Sequence, residues 1–181
     1  MKKNLVLAAF SLLVFAFAAS AQKAPDFSGT WNLDLGKSTL GDREKASIES
    51  QTLTVTQTAA DITVATTTKR NAPPAGAPAG GPPGGGRGGI GSGDGSVTYT
   101  LDGKEVKSEM TTQMGSMQIL TKAKLEGGSL AITRTVTTPM GDRVSTEKWS
   151  LGTDGTLSIA SQRPNRDGGM DTTTKVYSKK Q

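Results

Sequence analysis

The sequence predicts an all-β chain, an antiparallel up-and-down meander curled into a barrel of roughly eight to ten strands. Three observations carry this. Threonine occurs 25 times, mostly in alternation with apolar residues. A β-branched side chain favours extended backbone, and a period of two marks a sheet with one wet and one buried face. The apolar runs are joined by short links bearing Gly, Asp or Pro, which make consecutive strands antiparallel neighbours. No stretch beyond residue 21 sustains a helical period. Closing the meander removes the free edges that invite a cysteine-free chain to aggregate.

Residues 1–21 read as a signal peptide rather than as part of the fold. Lys2 and Lys3 begin it, Leu5 to Ala18 is apolar but too short for a stable span, and Ala19-Ser20-Ala21 supplies small residues for cleavage. The mature chain would start at Gln22, with no membrane span and no lipidation cysteine, in the periplasm or outside the cell. The remaining 160 residues (22–181) suit a single domain.

Strands are expected at Thr30–Leu35, Ser47–Thr58, Asp61–Arg70, Gly95–Leu101, Lys104–Thr112, Met117–Leu125, Ser129–Thr138, Arg143–Leu151, Thr156–Gln162 and Met170–Ser178. Their inward set runs Leu53, Val55, Ile62, Val64, Val97, Tyr99 and Leu101 through the first half. It continues with Ile119, Leu125, Leu130, Ile132, Val136, Trp149, Leu151, Leu157 and Ile159. Asp102-Gly103 and Gly127-Gly128 can supply the positive φ values of two-residue hairpin turns. Ser38 to Ala46 has room for one short helical turn. Residues 71–95 hold 11 Gly and 5 Pro; so little apolar surface cannot offset the entropy of ordering, and a disordered insertion between the third and fourth strands is expected.

Composition excludes several function classes. Without Lys2 and Lys3, 19 basic side chains face 16 acidic ones, too even a balance to hold a polyphosphate backbone. Only Phe27, Trp31, Tyr99, Trp149 and Tyr177 remain as aromatics, too few for base-stacking platforms. No nucleic-acid partner is expected. Without Cys or His there is no disulfide, no Ser–His or Cys–His pair and no usual zinc site. No catalytic residue, metal set or cofactor is assigned.

Several motifs reduce to plainer readings. Gly36-Lys37-Ser38-Thr39 ends like a phosphate-binding loop, but Trp31 stands where the first glycine belongs, and the segment reads as a polar bend. Arg87 within the Gly-rich run is one cation, too few for a nucleic-acid tract. Ser145 and Lys148 match a Ser-x-x-Lys spacing, yet three residues apart on a strand they face opposite sides. Asn165 to Asp171 offers oxygen ligands without the register of a calcium loop, and reads as a wide hairpin turn.

Phe27-Ser28-Gly29-Thr30-Trp31, the Lys37-Ser38 pair, a second tryptophan in Glu147-Lys148-Trp149-Ser150-Leu151 and the closing Lys175-Val176-Tyr177 form a pattern. It resembles that of small secreted bacterial proteins with lipocalin-like domains, calycin-type β-barrels with an N-terminal Gly-x-Trp motif. The resemblance implies a lipocalin-like barrel in which Gly29 lets the chain enter tightly and Trp31 plugs one end. It also implies a last-strand basic residue packed over that tryptophan, with Lys175 the candidate. The expected function is non-enzymatic binding of a small hydrophobic ligand. Tyr99, Met110, Met117 and Trp149 are the candidate ligand contacts, the thioethers because they adapt to varied apolar shapes. A packed barrel serving as a cell-envelope interaction module is the alternative.

Overall fold

The structure, a computed structural model, describes residues 24–72, 94–112, 115–139, 141–165 and 167–180. The signal-like segment and most of the Gly/Pro-rich stretch lie outside them. The elements run β1 (Gly29–Thr39), α1 (Asp42–Ser47), β2 (Ile48–Gln57), β3 (Asp61–Arg70), β4 (Gly95–Thr100) and β5 (Asp102–Thr112). They continue with β6 (Gly115–Glu126), β7 (Ser129–Thr138), β8 (Gly141–Leu151), β9 (Leu157–Pro164) and β10 (Met170–Lys179). All the expected strands are present, and the short helix falls where a helical turn was anticipated.

One ten-stranded sheet contains them in the order β4-β3-β2-β1-β10-β9-β8-β7-β6-β5. Each chain neighbour pairs antiparallel except at one place, and β1 pairs with β10 to bring the ends of the chain together. The Gly127-Gly128 link has φ of 53° and 80°, the double positive φ that a two-residue hairpin requires, and β6 and β7 pair right up to it, Glu126 opposite Ser129.

The exception is between β4 and β5. A hairpin was expected at Asp102-Gly103, and a sealed cylinder with it; the strands instead leave two unpaired edges facing each other. The local cause is a corner. Leu101 N–H donates to Ala60 O at 2.7 Å and stays with the β2–β3 turn. Lys104 N–H donates to the Asp102 carboxylate at 2.9 Å. The chain then joins β6 with a register shift between Asp102 and Glu105, so β5 leaves without laddering onto β4. The barrel is nearly closed rather than closed.

Inward residues of β1 to β4 and β6 to β10 form one core. Phe27, Trp31, Leu53, Ile62, Leu130, Ile132, Leu157 and Tyr177 are buried in it, each burial stabilising by about 1.5–3 kcal/mol for a large apolar side chain. Leu151 departs from its expected inward position: at the last residue of β8 it is 36% exposed. The Gly36 to Thr39 stretch is not a bend after β1 but part of it. The Asp34 carboxylate accepts from the N–H groups of Gly36 (2.9 Å) and Lys37 (3.1 Å), and a register shift between Asp34 and Thr39 lets the strand bulge and run on.

Trp31, 2% exposed, is buried in the core cluster. Its Nε1–H donates to Phe27 O at 2.9 Å, and Phe27 meets Trp149 edge-on, centroids 6.0 Å apart at 87°. The cation over Trp31 is Lys179, Nζ 5.3 Å from the ring centroid, and not Lys175. Register explains the correction: Lys179 lies directly opposite Trp31 across the β1–β10 pair, whereas Lys175 lies opposite Ile159.

Candidate functional site

The unpaired edges of β4 and β5 frame the site. Period two sends Val97 and Tyr99 inward from β4, since they sit opposite Val64 and Ile62 of β3. On the other side Val106 and Ser108 lie opposite Thr121 and Ile119 of β6. Behind the gap, Ala123 of β6 faces Ile132 of β7. A cavity of about 170 Å³ lies among Val97, Tyr99, Val106, Ser108, Ala123 and Arg134. Val106, 46% exposed, marks its solvent side.

Arg134 is the feature that sets the electrostatics. It occupies an inward position of β7 two residues beyond Ile132 and is only 5% exposed. Its terminal N–H donates to the Tyr99 hydroxyl at 3.0 Å, while its buried Nε has no hydrogen-bond partner. Burial pushes the Tyr99 phenol above its usual range, a shift the Arg134 guanidinium opposes and the Glu147 carboxylate reinforces. Tyr99 is therefore a neutral hydroxyl across the physiological range.

A second polar group lies near α1. The Gln51 side-chain oxygen accepts from the Tyr177 hydroxyl at 2.8 Å and from Lys175 Nζ at 3.4 Å. Its amide donates to Thr68 at 2.9 Å. Lys175, its side chain 13% exposed, forms an ion pair with Glu44 of α1 at 3.0 Å. The Tyr177 phenol is held protonated, by burial first and then by the Glu147 and Glu44 carboxylates. These bonds tie the helix to β2 and β10, and every member is partnered. A larger recess of about 570 Å³ overlies outward residues such as Thr133, Thr146, Lys148 and Gln162, and holds no buried charge.

Of the four candidate ligand contacts, Tyr99 lines the cavity. Met110 and Met117 face each other across the β5–β6 pair, one inward step beyond Ser108, and neither lines it. Trp149 packs edge-on against Phe27 in the core, its Nε1–H donating to Glu147 at 3.3 Å. Sequence reasoning passed over Arg134, although the signal was there: Leu130, Ile132 and Val136 were assigned inward, which leaves a guanidinium on the same face of the strand. Ser145 and Lys148 diverge as expected, with Ser145 Oγ turned to Arg134 O and Lys148 exposed. Asn165 closes its turn by accepting from the N–H groups of Asp167 and Gly169. Among the described residues, no three metal-capable side chains converge, and no helix is long and apolar enough to cross a membrane.

Neither a family model nor a curated protein sequence matches the chain. Similar solved structures exist. The fluorescent protein UnaG N57Q mutant is 15% identical at a TM-score of 0.50, covering 84% of this chain and 95% of its own. Human cRBP IV is 11% identical at 0.49, covering 86% and 98%. Secretory abundant heat soluble protein 4 from Ramazzottius varieornatus is 11% identical at 0.48, covering 85% and 94%. At these identities the likeness to the UnaG variant is one of fold, an antiparallel up-and-down barrel of lipocalin-like type.

Proposed function

We propose that the protein is a non-enzymatic binding protein that takes one small, mainly apolar molecule into the cavity behind the β4–β5 gap. The observation that carries this is a partly enclosed space at the β4–β5 edge of the barrel. Val97, Val106 and Ala123 supply apolar wall, and Tyr99, Ser108 and Arg134 supply a few converging polar groups, the composition of a ligand site. Its size sets a bound: an engineered apolar cavity of about 150 Å³ accepts benzene, so a ligand body near that size fits. Burial keeps the Tyr99 hydroxyl protonated, so it offers a ligand a neutral hydrogen-bonding group. The signal-like N-terminus places the proposed activity in the periplasm or outside the cell.

The test is native mass spectrometry of protein from its own host, followed by thermal shift against benzene-sized apolar probes. A co-purifying small molecule, or a probe that raises Tm, supports the reading, since a ligand specific for the native state must stabilise it. No bound molecule and no shift with any probe would instead favour a packed barrel acting as an envelope interaction module.

A further inference from the structure

The geometry points to a carboxylate site: the cavity behind the β4–β5 gap binds a small organic acid, its apolar body against Val97, Val106 and Ala123 and its carboxylate on Arg134. This rests on the reading of that cavity as a ligand site and names the ligand's chemical class.

The argument starts from an imbalance. A guanidinium does not lose its proton in a protein, so Arg134 cannot escape burial by becoming neutral, as a lysine could. A buried charge is tolerated when a counter-charge and hydrogen bonds accompany it. Among the described residues, its only side-chain partner is the neutral Tyr99 hydroxyl, and Nε–H has no acceptor. Among the described residues, no carboxylate lies within ion-pair distance of Arg134. Glu147, the nearest inward acid on β8, accepts from Trp149 instead. The missing charge and the missing acceptor coincide on one group, and that group lines a cavity.

The class of anion follows from the surroundings. A guanidinium grips a planar carboxylate with two parallel hydrogen bonds, and Arg134 is the cation that lines this cavity. One cation balances a monoanion; a phosphate dianion would remain uncompensated in the same space. The apolar walls favour an organic body over an inorganic ion, and the 170 Å³ volume restricts that body to about one ring or a short branched chain. The edges of β4 and β5 leave a lateral route to it.

Calorimetric titration of the full chain with sodium benzoate and with benzyl alcohol, its neutral counterpart, tests this. Benzoate should bind about ten-fold tighter or more, the usual advantage of a charge-assisted pair over a neutral bond. Arg134→Met should erase that preference while benzyl alcohol still binds, and Arg134→Lys should keep only part of it. Val106→Trp, which leaves the guanidinium in place, should lose both ligands by filling the mouth, and serves if the Arg134 variants do not fold. Equal affinities, a preference that survives Arg134→Met, or benzoate binding retained by Val106→Trp would each overturn the proposal. Benzyl alcohol binding without benzoate would sink the carboxylate assignment alone. Binding of neither would sink it together with the reading of the cavity.

Discussion

Removing the indole of Trp31, the expected plug of the barrel, should destabilise the protein strongly, and the size of the loss can be worked from its contacts. The side chain is 2% exposed, so Trp31→Ala loses nearly all of its buried surface and leaves a void beside Phe27. Large aromatic truncations of this kind cost about 3–5 kcal/mol, against a total stability of ~5–15 kcal/mol for an ordinary domain. Trp31→Phe separates the contributions: the ring remains, but the Phe27 carbonyl loses its donor, for about 1–3 kcal/mol. Lys179→Met tests the cation over the ring, which should contribute only about 0.5–1 kcal/mol. In a chain of this length each kcal/mol lowers Tm by about 2–4 °C, so Trp31→Ala should melt some 6–20 °C lower. Urea unfolding followed by circular dichroism reads all three, and Trp149, the remaining indole, reports on the plug in the Trp31 variants. A loss below about 1 kcal/mol for Trp31→Ala would mean the indole does not stop the barrel.

Gly29→Ala should cost about 1–3 kcal/mol in the same assay, because φ is 137° and a new Cβ would approach Lys179 Cε to 2.7 Å; a neutral effect would refute the strained geometry. Both tyrosines have phenol pKa values raised by burial, and a group that is acidic only when exposed lends stability below its unfolded value. Stability should therefore be indifferent to these groups below about pH 10 and fall as pH climbs above it. Tyrosinate absorbance should appear only with unfolding; half-ionisation near pH 10 in folded protein would refute this. Glu44→Gln should leave the half-buried Lys175 with only its long contact to Gln51. We expect faster amide exchange in α1 and a loss of about 1 kcal/mol, and unchanged exchange would show that the ion pair does not hold the helix.

The strand plan was legible because its cause is local. Leu130, Ile132 and Val136 alternate with Ala131, Thr133 and Thr135, and such alternation has one low-energy outcome when a single face is buried. Gly127-Gly128 likewise announces its hairpin through backbone freedom alone. The burial of Trp31 fits its motif, but its cation could not be chosen from the motif: Lys175 and Lys179 both point inward by parity, and only the β1–β10 register decides which lies opposite the ring. The site was less visible. Tyr99 follows from its apolar neighbours, whereas Met110, Met117 and Trp149 were chosen for side-chain type, which does not say how far along the barrel axis a residue sits.

Alternation and turn chemistry, properties of adjacent residues, were enough to establish eight to ten antiparallel strands, the facing of most of their residues and the meander apart from its β4–β5 link. Whether the two outer edges of the sheet meet depends on a corner at Leu101 to Lys104, on the β5–β6 register, and on a hydrogen bond to Ala60 some forty residues away. That long-range geometry opened the wall between β4 and β5 and left Arg134 buried beside it with no carboxylate of the described residues within ion-pair distance. Local preference sets which face a side chain takes; only packing across the whole sheet sets what it finds there.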